Sequence, residues 1–222
     1  MSLTKDSIPQ VMDFCRIERV RFLIARCSTQ DLPAAQAMES LGFSLMDTLV
    51  YYRRDIQGQP LPERGKVPTR HVVPDDVENV RQIVREAFRG YNSHYHADPR
   101  LDRAACDDVY VDWAVRSCSQ KDLADEVLIA EAGEESQGFL TLKILDTNDG
   151  DGRLFAVAPR AQGRGIGQAL LVDGLYWCLE HGMRGMVIST QITNLVSQAS
   201  WVRVGFTPYQ SFYTFHKWFE EG

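Results

Sequence analysis

The sequence predicts an α+β protein: a mixed, mostly antiparallel central sheet flanked by helices, preceded by a shorter unit that repeats part of the same plan. Three observations carry this expectation. Residues 127–157 hold three apolar runs joined by short polar turns, the pattern of an antiparallel meander. The stretch APRAQGRGIGQALL (158–171) then sets a glycine-rich loop between a strand and a helix. Lastly, FLIARCSTQDLPAAQAMESLGFSLMDTLVYY (22–52) and GMVISTQITNLVSQASWVRVGFTPYQSFYTF (185–215) both read strand, cap, helix, Gly-Phe, strand. Phe43 meets Phe206 at a step of 163, and the same step takes Gly42 to Gly205 and Asp31 to Asn194.

Composition bounds the rest. The 222 residues suffice for one large domain or two small ones, and 44% hydrophobic with 24% charged residues can bury an ordinary core. A net charge of −6 gives the whole chain no basis for nucleic-acid binding, which needs a basic surface. Five cysteines, Cys15, Cys27, Cys106, Cys118 and Cys178, form no CxxC pair, which argues against a disulfide framework and against a zinc or other metal site. They favour a reducing, cytoplasmic setting. No stretch approaches the ~18 apolar residues that span a bilayer, and MSLTKDSIPQ lacks a signal-peptide core.

Residues 1–54 form the partial N-terminal unit, and DIQGQPLPERGKVP (55–68), with three prolines and no apolar period, reads as a linker. The second unit, 69–222, opens with a short strand at 69–73. Asp75 or Asp76 caps the next helix, with Glu78 placed for a capping box behind Asp75. Val77, Val80, Val84, Ala87 and Phe88 recur at helical spacing. A polar loop (89–101) precedes a second helix with Cys106, Val109, Tyr110, Trp113 and Ala114 on one face. Strands at 127–132, 138–145 and 152–157 follow, the first two separated by the turn AGEESQ and the third entered through an Asp- and Gly-rich turn. A helix at 165–181, a strand at 186–190, a helix from Asn194 to about 203 and a last strand at 209–217 complete the order. Cys178 falls on the apolar side of its helix as a small core residue.

The loop carries the chemistry. A helix start leaves about four N–H groups unpaired at the positive end of the helix dipole. With Gly163, Gly165 and Gly167 bare of side chains, it forms a nest for a diphosphate, to which Arg160 and Arg164 add charge. A Walker A loop would end in Gly-Lys-Ser/Thr, and a Rossmann loop would need G-x-G-x-x-G after the first strand of a parallel sheet. Gly163-Arg164-Gly165-Ile166-Gly167 fits neither.

Gln162-Gly163-Arg164-Gly165-Ile166-Gly167, with the strand Phe155-Ala156-Val157 before it and Asn194 and Gly205-Phe206 after it, resembles the Q/R-x-x-G-x-G/A signature of the GNAT superfamily of N-acetyltransferases. The resemblance covers about 69–218. It implies acetyl-CoA as co-substrate, with Phe155, Ala156 and Val157 pairing the pantetheine arm, 162–167 gripping the diphosphate and Asn194 adding contact. A backbone N–H near Val157 would stabilise negative charge on the reacting carbonyl. The layout of partial copy, linker and full domain is similar to the bacterial TDP-fucosamine acetyltransferases, which implies a TDP-linked amino-dideoxy sugar as acceptor. The loop and helix 91–113, with Tyr91 and Asp98, then face that acceptor.

Many members of that superfamily carry a tyrosine as general acid where this chain has Trp201, whose indole N–H donates hydrogen bonds but is no practical acid. Tyr209 or Tyr213 is the alternative source of that proton, and His94 and His96 are the candidate bases, because imidazole titrates near neutral pH. The rival readings are acetylation of another small-molecule amine and a non-catalytic acyl-CoA-binding module. No nucleic acid or membrane partner is expected, and homodimer formation is left open.

Overall fold

A computed structural model describes residues 2–133, 135–145 and 147–220. The first unit comprises α1 (Ile8–Ile17), β1 (Phe22–Ser28), α2 (Leu32–Ser40) and β2 (Ser44–Asp55). The second begins with β3 (Thr69–His71), α3 (Val77–Ala87), α4 (His94–Ala97) and α5 (Arg103–Ser117). The meander is β4 (Glu126–Ala132), β5 (Glu135–Ile144) and β6 (Gly150–Val157). Then come α6 (Ile166–Glu180), β7 (Gly185–Gln191), α7 (Leu195–Arg203) and β8 (Thr207–Trp218). The two meander turns fall partly on Glu134 and Asp146, which lie outside the described residues. No helix among the described residues is long and apolar enough to cross a membrane.

Several local expectations change. The helix α1 was not foreseen: it is ten residues long and buries only Ile8 and Cys15. The loop 89–101 contains the short helix α4, capped by Ser93, whose Oγ accepts from the Tyr95 N–H at 3.3 Å. The capping box behind Asp75 does not form. A 3-10 turn, Pro74–Asp76, leads into α3 instead, and the Asp76 carboxylate takes both Arg70 Nη1 (2.6 Å) and Nη2 (2.8 Å). Asp76 is thereby held below the usual carboxylate range, chiefly by those Arg70 bonds. Glu78 turns outward to Arg81 at 3.1 Å.

All eight strands belong to one sheet, in the order β1-β8-β2-β7-β6-β5-β4-β3. Every pair is antiparallel except β6–β7. The N-terminal unit does not close a sheet of its own: β2 lies between β8 and β7, and β8 lies between β1 and β2. The step of 163 read from the sequence maps β1 onto β7, α2 onto α7 and β2 onto β8, end to end. It also maps the hydrogen-bond register. Phe22↔Trp218 becomes Gly185↔Asp55, and Leu49↔Phe212 becomes itself, so an approximate two-fold axis passes through that pair. Asp31 accepts from the Ala34 N–H at 3.1 Å as Asn194 does from the Ser197 N–H at 3.2 Å. Gly42 and Gly205 end the two helices at φ +76° and +92°, where a side chain is strained.

The main core lies between the sheet and α3, α5, α6 and α7, and a smaller one lies under α1 and α2 around Cys27, Met38, Phe43 and Phe215. Along β6, burial alternates strictly, as expected of a strand with one packed face. The segment 55–68 is not a bare tether. Ile56 is buried, and Arg64 pairs with Asp173 of α6 at 2.7 Å and lies 4.2 Å over the Tyr176 ring.

Gly150 opens β6 against α6, and a Cβ built there overlaps the Sγ of the buried Cys178. Gly150→Ala is expected to cost about 1–3 kcal/mol in chemical denaturation, and Cys178→Ala in the same chain is expected to recover most of it. Equal losses in the single and double variants would contradict this contact.

Candidate functional site

The parallel pairing of β6 with β7 lasts for three residue pairs, from Gly150↔Met186 to Gly152↔Ile188. Beyond them the strands part. The β6 residues that follow keep β5 as their partner, with Leu140↔Phe155 and Gly138↔Val157. The N–H of Leu154 bonds to Thr141 Oγ1 and that of Ala158 to the Gln137 carbonyl, both on the β5 side. By strand alternation the N–H groups of Phe155 and Val157 face the gap.

The glycine loop stands at the open end of this gap. Pro159–Ala161 form one 3-10 turn, and α6 begins at Ile166 with Gly165 as its cap residue at φ +81°. No side chain caps that helix start. The glycines serve two different needs. Gly163 (φ +76°) and Gly165 take a left-handed turn beside open space, whereas Gly167 lets the helix approach Phe155, whose Cζ would lie 3.0 Å from an added Cβ. Arg164 is exposed, while Arg160 is held by Glu86 at 2.8 Å. Unpaired amides, a positive helix end and an open cavity therefore fit a diphosphate.

A cavity of about 940 Å³ runs from this loop past β6 to α7, and Phe88 and Tyr91 close its far side. Of the residues expected to hold the coenzyme, Phe155, Ala156, Val157, Gln162, Gly163, Gly165, Ile166, Gly167 and Asn194 line it; Arg164 does not. Asn194 Nδ2 also donates to Thr190 Oγ1 at 3.0 Å, tying the cap of α7 to β7. A smaller cavity of about 80 Å³ lies where the strands part, lined by Gly152, Ile188, Ser189 and Trp201, with Phe88 and Tyr91 common to both.

The expected proton-transfer residues are not brought together there. His94 is buried, with Nδ1 2.9 Å from His216 Nε2, and His216 Nδ1 meets Asp98 Oδ2 at 2.8 Å. Burial, then the neighbouring His216, lowers His94 to about 3, which leaves it a poor base. His96 is held between Ser93 Oγ (3.0 Å) and Asp107 Oδ1 (3.0 Å), away from both cavities. Tyr209 is 55% exposed at an irregularity of β8, which β2 separates from β7, and Tyr213 packs on the smaller core. Asp98 is buried and engaged by His216, Trp218 Nε1 (2.9 Å) and the Arg100 N–H (2.9 Å), so no face is left for an acceptor. Trp201 does reach the gap, but as a floor. It is 2% exposed, sits edge-to-face with Tyr52 at 5.5 Å, and its Nε1 has no hydrogen-bond partner among the described residues.

Sequence reading gave no part to Asp151, which lines neither cavity. It lies on β6 opposite Val187, next to the last pair before the strands part, and takes Arg153 Nε at 3.1 Å. Burial raises it above the usual carboxylate range, with Arg153 opposing. Nearby, Tyr51 of β2 reaches Ser189 of β7, and its hydroxyl is raised by burial first. The polar alternation Asp151-x-Arg153 within an apolar strand was the available signal.

Fold, gap and loop together place an open cavity and a bare helix start between two parting parallel strands. A profile of the Acetyltransferase (GNAT) family matches residues 77–206, and the chain belongs to that family, whose members use acetyl-CoA. It is 27% identical over 151 residues to a spore coat polysaccharide biosynthesis protein, SpsD, of Bacillus subtilis, covering 65% of this chain and 48% of that one. It is 27% identical over 193 residues to a mycothiol acetyltransferase of Amycolatopsis mediterranei, covering 82% and 61%. The chain thus spans about half the length of the curated relatives it matches. A GCN5-related N-acetyltransferase of Sphaerobacter thermophilus shares the fold at a TM-score of 0.64, with 18% identity over 91% of this chain and 62% of that one.

His94 gives a pH test. Its folded value of about 3 lies below the unfolded value of about 6.5, so unfolding takes up a proton below pH 6.5. Its contribution is complete above pH 6.5 and is lost as pH falls toward 3, about 2 kcal/mol of it by pH 5. Denaturation at pH 7, 6 and 5 should show a shallower pH slope in His94→Gln than in the wild type; equal slopes would contradict a neutral His94.

Proposed function

We propose that the chain is an acetyl-CoA-dependent N-acetyltransferase that acts on a small-molecule primary amine by direct attack in a ternary complex. The observation that carries this reading is one cavity lined both by the glycine loop and by Phe155, Ala156 and Val157 of β6 with Gln191 of β7, past the point where those strands part. Its acceptor is the amino group of a sugar, a TDP-linked amino-dideoxy sugar in the finer form of the reading. The duplicated layout of the chain supports that form, as does a relative named for polysaccharide biosynthesis. Residues 1–54 act as a partial copy, 55–68 as a linker and 69–222 as the acetyltransferase domain. Five free cysteines support a cytoplasmic setting.

Bound acetyl-CoA supplies an acyl group activated as a thioester. The amides of 162–167 hold its diphosphate, with Arg164 adding charge. Phe155, Ala156 and Val157 offer backbone to its pantetheine arm, and Asn194 lines the same wall. The Val157 N–H, turned into the gap, stabilises negative charge that develops there, an effect of roughly 10²–10³ in rate for one well-placed donor. The amine sheds one proton and the departing thiolate takes one up, so the exchange releases no net proton. Trp201 seals the floor and excludes water. The net change is one amide formed, one C–S bond broken and one thiol released.

Mycothiol acetyltransferases among the relatives support the second reading, acetylation of a different small amine. A third, a coenzyme-binding module without catalysis, would give tight acetyl-CoA binding and background thiol release with every amine tested.

One variant tests the assignment. Gly165→Glu puts a side chain and a negative charge into the diphosphate nest and should abolish acetyl-CoA binding in calorimetry; unchanged affinity would remove the nest from the account.

A further inference from the structure

Asp47 of β2 is left in an unusual position. Both its carboxylate oxygens are buried, and neither has a hydrogen-bond partner among the described residues. An ionised carboxylate withdrawn from water without a partner costs several kcal/mol, so a chain that retains one invites the question of what completes it.

Its surroundings point to a cation. Asp47, Leu49 and Tyr51 share one face of β2 by strand alternation. Leu49 pairs with Gln191, which lines the large cavity and accepts the Tyr91 hydroxyl. An aromatic cluster stands over this face: Phe88 stacks on Tyr110 at 4.8 Å, and Tyr91 meets Phe88 at 5.0 Å and Tyr110 at 5.6 Å, both edge-to-face. Burial raises the Tyr91 and Tyr110 hydroxyls above the ordinary tyrosine range, and the Asp47 charge adds a smaller contribution to both. A carboxylate beside grouped aromatic rings is the chemistry that recognises an alkylammonium ion.

We propose that Asp47, contributed by the N-terminal unit, receives the protonated amino group of the acceptor beside the rings of Phe88, Tyr91 and Tyr110. This rests on the amine-acetyltransferase reading. Rotation of Tyr91, which is bonded to Gln191 and lines the cavity, admits the acceptor to the carboxylate. The amine docks in its abundant protonated form and gives up its proton to the Asp47 carboxylate before attack. The partial copy thereby selects the acceptor, while the second unit binds the coenzyme.

Calorimetry at pH 7 in the presence of coenzyme A, with glucosamine against glucose and putrescine against 1,4-butanediol, isolates the charge. The wild type should bind the amine of at least one pair about tenfold or more tightly than its hydroxyl counterpart. Asp47→Asn should lose that preference, keep its coenzyme A affinity and melt no lower than the wild type, because a buried unpaired charge has been removed. A preference retained in Asp47→Asn, a lower melting temperature for it, or no preference in the wild type would overturn the proposal. Thiol release separates the two ideas. Asp47-dependent amine binding without thiol release would sink the transferase reading alone. Thiol release with an amine KM unchanged in Asp47→Asn would sink the role of Asp47 alone.

Discussion

The site depends on β2 being hydrogen-bonded along both edges, to β8 on one side and to β7 on the other. Those two ladders hold β7 at an angle that the parallel β6 follows for only three residue pairs. The gap that opens is the space the chemistry needs. In an isolated second unit, the inner edges of β7 and β8 would carry unpaired backbone groups, which are costly to bury and prone to pair elsewhere. The N-terminal unit is therefore structural for the catalytic half, and the approximate two-fold axis through Leu49 and Phe212 explains how. Each copy lends one strand to the other, as two chains do when they exchange identical elements.

The glycine loop stands at the open end of that gap. Left-handed turns at Gly163 and Gly165 lead into α6 without a side-chain cap, so the helix start offers its amides outward. The close approach at Gly167 brings those amides beside the free edge of β6. In the proposed function, anion binding, backbone pairing and charge stabilisation are assigned to main-chain groups whose orientation is fixed by helix and strand, which keeps their reorganisation on reaction small.

Much of this was legible in the sequence. The repeat at a step of 163 gave the paired caps, helices and Gly-Phe ends, because caps and left-handed turns depend on single residues. The left-handed turns at Gly163 and Gly165 ahead of a helix were legible for the same reason. The interleaving of the copies was not, since strand order is set by long-range pairing that no local pattern records. That gap in the reading misdirected the proton-transfer residues. His94, His96 and Tyr209 were chosen by residue type, yet His94 is sequestered by His216, His96 by Ser93 and Asp107, and Tyr209 by the insertion of β2 between β8 and β7. Asp47 went unnoticed because what sets it apart is the burial of its carboxylate, which only the assembled sheet imposes. Asp47 acquires its neighbours only once a strand from the first copy has crossed into the second.

The most direct measurement is a crystal structure of the protein with acetyl-CoA. The account predicts the diphosphate within hydrogen-bonding distance of main-chain N–H groups in 162–167 and the acyl group between β6 and β7, above Trp201 and near the Val157 N–H. A diphosphate bound elsewhere, or an acyl group lying outside the space between those strands, would contradict it.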